Sequence, residues 1–127
     1  MKKLLLLALL GTMSLQANIK IMSNTKGISS VTQKELADLY LGKKKTIQGV
    51  AVTPIDNKDN FKEFYQKVLN KSSKQLRAYW MREMYKGDRL PPKKMTTAEI
   101  KKVIKGKKKV IVYSISKLDG KVILTLK

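Results

Sequence analysis

Residues 110–115 read Val110-Ile-Val-Tyr-Ser-Ile115, a nearly continuous apolar run. Such a run is typical of a β-strand that is buried on both faces of a sheet. It is followed by Asp119-Gly120, a dipeptide typical of two-residue hairpin turns, and then by a second apolar run over 122–126. We therefore predict a central strand, a tight turn and a return strand, which together form a C-terminal β-hairpin.

Two more strands and four helices are predicted before this hairpin. Residues 18–23 alternate between apolar and polar side chains, and residues 50–55 form another apolar segment. The clearest helical periodicity of the chain falls in 61–69, where apolar residues recur at intervals of three and four. The resulting order is β-α-β-α-α-α-β-β, which predicts an α/β fold with a mixed sheet.

Polar residues predict where the four helices begin. Thr32 with Glu35, and Thr96 with Glu99, have the spacing of capping boxes. Ser72 or Ser73 is expected to cap the third helix, and Asp56 or Asn57 the second. On the third helix we expect Leu76, Tyr79, Trp80 and Met84 to share the buried face.

The first seventeen residues have the three parts of a secretory signal peptide. Lys2 and Lys3 give a positive start, residues 4–10 form a short apolar run, and Ala17 is a small residue suited to cleavage. We predict a cut after Ala17, a periplasmic or secreted protein, and one domain over 18–127. No later segment is long and apolar enough to predict a transmembrane helix.

The composition narrows the chemistry that is available. The formal net charge is +19, which favours anionic partners. The chain contains neither histidine nor cysteine, so the commonest general base, the thiol nucleophile and most transition-metal sites are excluded. We predict no metal and no cofactor.

Two helix starts are candidate anion sites, because helix N-termini present free N–H groups to phosphate or carboxylate groups. The side chains that would add donors are Ser29, Ser30, Asn57, Lys58 and Asn60. The alternative is that these residues only cap their own helices. The lysine-rich turns at 43–45, 93–94 and 107–109 could contact polyanions, but they lack interleaved aromatic residues, and we predict no specific nucleic-acid binding.

Three carboxylates that lie close together in the sequence are the candidate catalytic residues. Asp56, Asp59 and Glu63 lie near the start of the second helix, where a pair of carboxylates could act as acid and base. Their simpler role is to stabilise the positive end of the helix dipole. No nucleophile or nucleotide-binding motif accompanies them. We therefore predict a protein that is not an enzyme.

Several stretches in order resemble a known family. They are VTQKELADLYLGKK over 31–44, VTPID over 52–56, FKEFYQKVL over 61–69, QLRAYW over 75–80 and GDRLPP over 87–92. This combination resembles the short phosphate-binding-protein-like family, the periplasmic solute-binding domains of phosphate ABC uptake systems. The turn over 57–60 stands where fuller relatives carry a Ser-Gly-Thr-type turn that holds phosphate.

The resemblance implies a single Rossmann-like lobe of the type 2 periplasmic binding protein fold. It also implies a non-enzymatic role in anion uptake, with a small anion such as phosphate as ligand and an ABC transporter permease as partner. The alternative hypothesis is a basic periplasmic interaction protein that binds a protein partner or an envelope polyanion through its lysine turns.

Overall fold

The computed structural model describes residues 18–87 and 89–127. The predicted signal peptide, residues 1–17, lies outside the described residues. Within them the chain forms a mixed α/β fold with four helices, a five-stranded mixed sheet and a separate two-stranded hairpin.

The strands of the larger sheet lie in the order β5-β4-β6-β1-β7. β6 pairs in parallel with β4 and antiparallel with β1, and all five of its residues are buried, as the apolar run predicted. The strands are β1 Ile19–Ser23, β4 Thr53–Asn57, β5 Lys93–Met95, β6 Val110–Ser114 and β7 Lys121–Leu126.

The predicted C-terminal hairpin is wrong. β1 lies between β6 and β7 and pairs antiparallel with both, so β6 and β7 run in the same direction. The segment between them crosses the face of β1, where Leu118 is buried and its N–H lies 3.3 Å from the sulfur of Met22. Gly120 ends this crossing at φ +127, and a Cβ there would lie 2.7 Å from Ile104. The Asp-Gly pair marks a crossover because burying Leu118 against β1 requires the chain to pass over that strand.

The helices cover both faces of the sheet. They are α1 Gln33–Tyr40, α2 Phe61–Leu69, α3 Ser73–Lys86 and α4 Thr97–Val103. Helices α1 to α3 pack with Ile21, Ile111 and Tyr113 on one face. Helix α4 and the crossover pack with Met22 and Val112 on the opposite face.

Most of the predicted helix ends are confirmed. Thr32, Ser72 and Thr96 each cap a helix in a complete capping box. The prediction that Asp56 or Asn57 caps the second helix is wrong, because both residues continue β4 and are buried. The N-cap of α2 is Asn60, whose side chain makes no capping hydrogen bond.

Two short strands, β2 and β5, escaped the prediction, and one predicted strand divides into two. β2 Thr46–Ile47 and β3 Val50–Ala51 form the small hairpin, so the predicted strand over 50–55 divides at Val52 and its second part extends to Asn57. β5 pairs in parallel with the end of β4, although its sequence is Lys-Lys-Met. A strand of three residues with two lysines carries no apolar periodicity to reveal it.

The buried face of α3 differs from the prediction at one position. Leu76 and Trp80 are buried as expected, but Met84 is 46% exposed and Glu83 is buried instead. Glu83 is buried because Arg89 and Lys86 lie within ion-pair distance of its carboxylate, at 3.0 and 3.5 Å.

Candidate functional site

Asp56 is the buried carboxyl group around which the candidate site is built. It lies near the end of β4, next to the central strand, and is 2% exposed. The hydroxyl of Tyr65 on α2 donates to both carboxylate oxygens, at 2.9 and 3.1 Å, and the hydroxyl of Tyr113 on β6 donates at 2.8 Å. The carboxyl group therefore joins two strands and a helix.

Burial dominates the ionisation of this group. It raises the pKa of Asp56 from 3.8 to about 7, because an ionised carboxylate loses its hydration in the interior. The tyrosine hydroxyls and the nearby charge of Lys94 act in the opposite direction and lower the pKa in part. Near neutral pH the group is consequently divided between its neutral and its ionised forms.

The tyrosines that hold Asp56 belong to a packed aromatic cluster. The rings of Phe64 and Tyr113 stack at 3.7 Å, and Tyr40 packs against both. The Tyr40 hydroxyl donates to the carbonyl oxygens of Ile55 and Ile111, which ties α1 to the two neighbouring strands. Burial, followed by the Asp56 charge, raises the pKa of Tyr65 and Tyr113, so both hydroxyls stay protonated as donors.

A cavity of about 760 Å³ opens beside Asp56, and we call it the β4 cavity. It lies between the starts of α2 and α3, the proline loop and β5. Apolar side chains supply much of its wall, and three basic side chains reach it from three different elements. The lining residues are Asp56, Phe61, Lys62, Ser73, Leu76, Arg77, Trp80, Pro91, Pro92 and Lys94.

Lys94 is positioned by the sheet and by an aromatic ring. It is the register partner of Asp56 in the parallel pair of β4 and β5. Its Nζ lies 4.0 Å from the centroid of the Phe61 ring, a cation–π distance. Over residues 18–87 and 89–127, none of Lys62, Arg77 and Lys94 forms an ion pair with a carboxylate. Their charges are therefore available to a ligand.

The residues predicted from the two helix starts are not brought together. β1 runs antiparallel to β6, whereas β4 runs parallel to it, so the loops that follow β1 and β4 leave from opposite ends of the sheet. Ser29 and Ser30 are exposed on the first loop, where Gln48 donates to the carbonyl oxygen of Ser30. They are remote from the loop that contains Asn57 and Asn60.

Within the second loop, both asparagine side chains are used by the fold. The Asn57 amide group donates to the Tyr113 carbonyl oxygen and to the Thr97 hydroxyl. The Asn60 side-chain oxygen accepts from the N–H of Ile115. Lys58 is exposed and lines a smaller pocket of about 290 Å³ together with Lys94. The smaller pocket shares Lys94 with the β4 cavity, but none of the five predicted donors lines the β4 cavity itself.

The three predicted carboxylates do not form one cluster, because Asp59 and Glu63 line the pocket of about 290 Å³ and Asp56 does not. Asp59 is exposed and accepts hydrogen bonds from the N–H and the hydroxyl of Thr97, at the start of α4. These bonds to Thr97 lower the pKa of Asp59. Because α4 covers the face of the sheet opposite to Asp56, Asp59 and Asp56 do not form a catalytic pair.

The sequence prediction missed Lys62 and Arg77, and it treated Lys94 only as part of a basic turn that could contact polyanions. Each has the pattern of an ordinary solvated lysine or arginine on a helix or in a basic turn. The signal that could have found Lys94 is the Pro91-Pro92 loop directly before Lys93, since a rigid loop fixes where the following residues lie. Pairing of 93–95 with β4 is a long-range contact that single-sequence periodicity does not encode.

No protein-family model, curated protein or solved structure matches this chain. In the part of the chain that the structure describes, no helix has the length and apolar character needed to cross a membrane. The same residues contain no group of three or more side chains arranged to hold a metal ion.

The raised pKa of Asp56 predicts how folding stability depends on pH. The pKa of Asp56 is about 7 in the folded protein and about 3.8 in the unfolded chain. The contribution of the neutral Asp56 carboxyl group to the free energy of unfolding is therefore complete below pH 4 and is lost as pH rises towards 7. Asp56→Asn removes this loss, because an amide does not ionise. We expect the difference in unfolding free energy between the variant and the unmodified protein to change by up to about 4 kcal/mol in favour of the variant from pH 4 to pH 8, measured by urea unfolding.

The matched control is Asp119→Asn, which changes a carboxylate that is 70% exposed. Its unfolding free energy should follow that of the unmodified protein across the same pH range. Parallel pH curves for Asp56→Asn and the unmodified protein would contradict the burial of an ionisable carboxyl group at this position.

Proposed function

We propose that this chain is an exported, non-enzymatic binding domain that holds a small anion, such as phosphate, sulfate or a carboxylate, in the β4 cavity. One observation carries the proposal: Lys62, Arg77 and Lys94 line a cavity in which Asp56 is the only carboxyl group among the described residues. That carboxyl group is partly neutral near pH 7, and its oxygens are occupied by tyrosine hydroxyls.

The position of the cavity supports binding of an anion rather than simple surface attraction. The cationic groups come from α2, α3 and β5, and the apolar walls formed by Trp80, Phe61 and the prolines reduce the access of water. Charges beside low-dielectric walls attract an anion more strongly than solvated surface charges do. Ser73 adds a hydroxyl group at the start of α3.

The resemblance to periplasmic solute-binding domains supports the biological role. We propose that the chain is a Rossmann-like lobe of the type 2 periplasmic binding fold that acts in anion uptake beside an ABC transporter permease. The mixed sheet covered by helices on both faces is compatible with that lobe. A cavity beside the carboxyl end of a parallel strand is where open α/β sheets commonly bind ligands.

Calorimetry with phosphate, sulfate and acetate tests the anion site. We expect saturable one-site binding of at least one of these anions. The variant Arg77→Gln/Lys94→Gln should weaken that binding about tenfold or more, which is about 1.4 kcal/mol. The control Lys107→Gln/Lys108→Gln removes the same charge from exposed residues before β6, at the other end of the sheet, and should have little effect.

Two results would refute the anion site. One is an equal loss of binding in the two double variants, because only the overall charge would then matter. The other is binding that never saturates and disappears at moderate salt, since screening over a Debye length of about 8–10 Å removes diffuse surface attraction.

The proposed export has its own test. When the full chain is expressed in a Gram-negative host, we expect the periplasmic protein to begin at Asn18, because cleavage follows Ala17. N-terminal sequencing of the periplasmic fraction checks this. Recovery of a chain that still begins at Met1 would contradict cleavage.

A further inference from the structure

A second concave surface lies on the other side of the proline loop. A groove of about 560 Å³ runs between the end of α1, the start of β4 and the end of α3, and we call it the Met84 groove. Pro91 and Pro92 separate it from the β4 cavity, since they line both. Its apolar wall comes from Leu39, Val52, Pro54, Met84, Leu90 and Pro91.

An exposed apolar patch continues from this groove. Met81, Met84 and Tyr85 have the three- and four-residue spacing that places side chains on one helix face, and Leu90 shares the groove with Met84. Tyr85 is 93% exposed, Leu90 78% and Met81 62%. Contiguous exposed apolar residues on a soluble protein mark interaction sites, and methionine and tyrosine are enriched at protein interfaces.

The groove is built from anchored parts. Arg89 donates to the Glu83 carboxylate and to the Tyr79 hydroxyl, each at 3.0 Å, and that hydroxyl donates to the Leu41 carbonyl oxygen at 2.7 Å. The side chain of Arg89 also lies against Gly42, where a Cβ would approach it to 3.2 Å. This network fixes the Arg89 side chain against α3 and the end of α1. Leu90 is therefore exposed, but it directly follows a residue whose side chain is held in place.

The charge around the groove indicates the occupant. Lys44, Lys45, Arg89 and Lys93 line it, and no carboxylate does among the described residues. Lys44 lies 4.0 Å from the Glu35 carboxylate outside the groove, so Lys45 and Lys93 carry the charges that no described carboxylate pairs. Glu83, the nearest carboxylate in the network, already faces Arg89 and Lys86. A second copy of this chain is disfavoured, because each copy is strongly basic, with a formal net charge of +19 over the full sequence and +17 without Lys2 and Lys3. A flat bilayer would reach the protruding residues and leave the concave groove unfilled.

We propose that the Met84 groove and its patch bind an acidic segment of a partner protein, with an apolar side chain inserted beside Met84 and Leu90 and carboxylates facing the lysines. Charge complementarity would fix the orientation of that segment and speed its association. The apolar anchor would supply most of the affinity, because buried anchors dominate protein interfaces. This inference is independent of the anion site.

Selection from a phage-displayed library of random peptides tests the proposal with the full mature protein. We expect the enriched peptides to combine Asp or Glu with Leu, Ile, Met or Phe. Fluorescence anisotropy of a labelled enriched peptide should show about a tenfold or greater loss of affinity with Met84→Ser/Leu90→Ser. Both substitutions change exposed side chains, so the fold should be retained, and circular dichroism checks this.

Two control variants distinguish binding in the Met84 groove from attraction by overall charge and from binding in the β4 cavity. Lys107→Gln/Lys108→Gln should leave peptide affinity nearly unchanged, and so should Arg77→Gln/Lys94→Gln. The proposal would be overturned if no peptides were enriched, or if peptides without apolar residues bound equally well. It would also be overturned if Met84→Ser/Leu90→Ser bound the peptide with unchanged affinity, or if only Arg77→Gln/Lys94→Gln lost affinity. Binding to phosphatidylglycerol vesicles that requires Tyr85 and Leu90, without peptide binding, would assign the patch to a membrane surface instead.

Discussion

The hydroxyls of Tyr65 and Tyr113 donate to the Asp56 carboxylate and so join β4, β6 and α2 in the interior. A buried carboxylate without partners is strongly unfavourable, so the two tyrosines and the aromatic packing around them are what allow Asp56 to lie there. Burial still raises its pKa to about 7. The same arrangement that holds the sheet and α2 together therefore also sets the charge at the inner wall of the β4 cavity.

The proline loop lies between the two concave surfaces on which the proposals rest, since Pro91 and Pro92 line both. On one side, Lys62, Arg77 and Lys94 surround a cavity of a size suited to a small ligand. On the other, Arg89 is held by Glu83 and Tyr79, and this network supports a groove that is lined by apolar and basic side chains. A domain that binds an anion and delivers it to another protein would need both kinds of surface, and the short Pro91-Pro92 wall places them next to each other.

Local signals in the sequence predicted the parts of the fold that depend on local physics. The capping boxes at Thr32, Ser72 and Thr96 satisfy helix N–H groups within four residues, so the sequence alone reveals them. The apolar run over 110–114 likewise indicates burial on both faces.

The features that the sequence did not predict depend on long-range contacts. β1 inserts between β6 and β7, and β5 is a strand only because β4 is its neighbour. Asp56 was expected at a helix start because Tyr65 and Tyr113, which hold it in the core, are nine and fifty-seven residues away. The candidate cavity was missed for the same reason, since Lys94 on β5 reaches the cations of α2 and α3 only when β5 pairs with β4 in the folded sheet.

The most direct test of this account is the ionisation of Asp56 itself. In protein with ¹³C-labelled aspartate carboxyl groups, the chemical shift of Asp56 can be followed by NMR as pH changes, with Asp56→Asn used to assign the signal. The account predicts a titration midpoint of about 7, and a higher midpoint in Tyr113→Phe because one donor to the ionised form is lost. A midpoint near the ordinary value of 3.8, unchanged in Tyr113→Phe, would show that the carboxyl group is hydrated and would contradict the account.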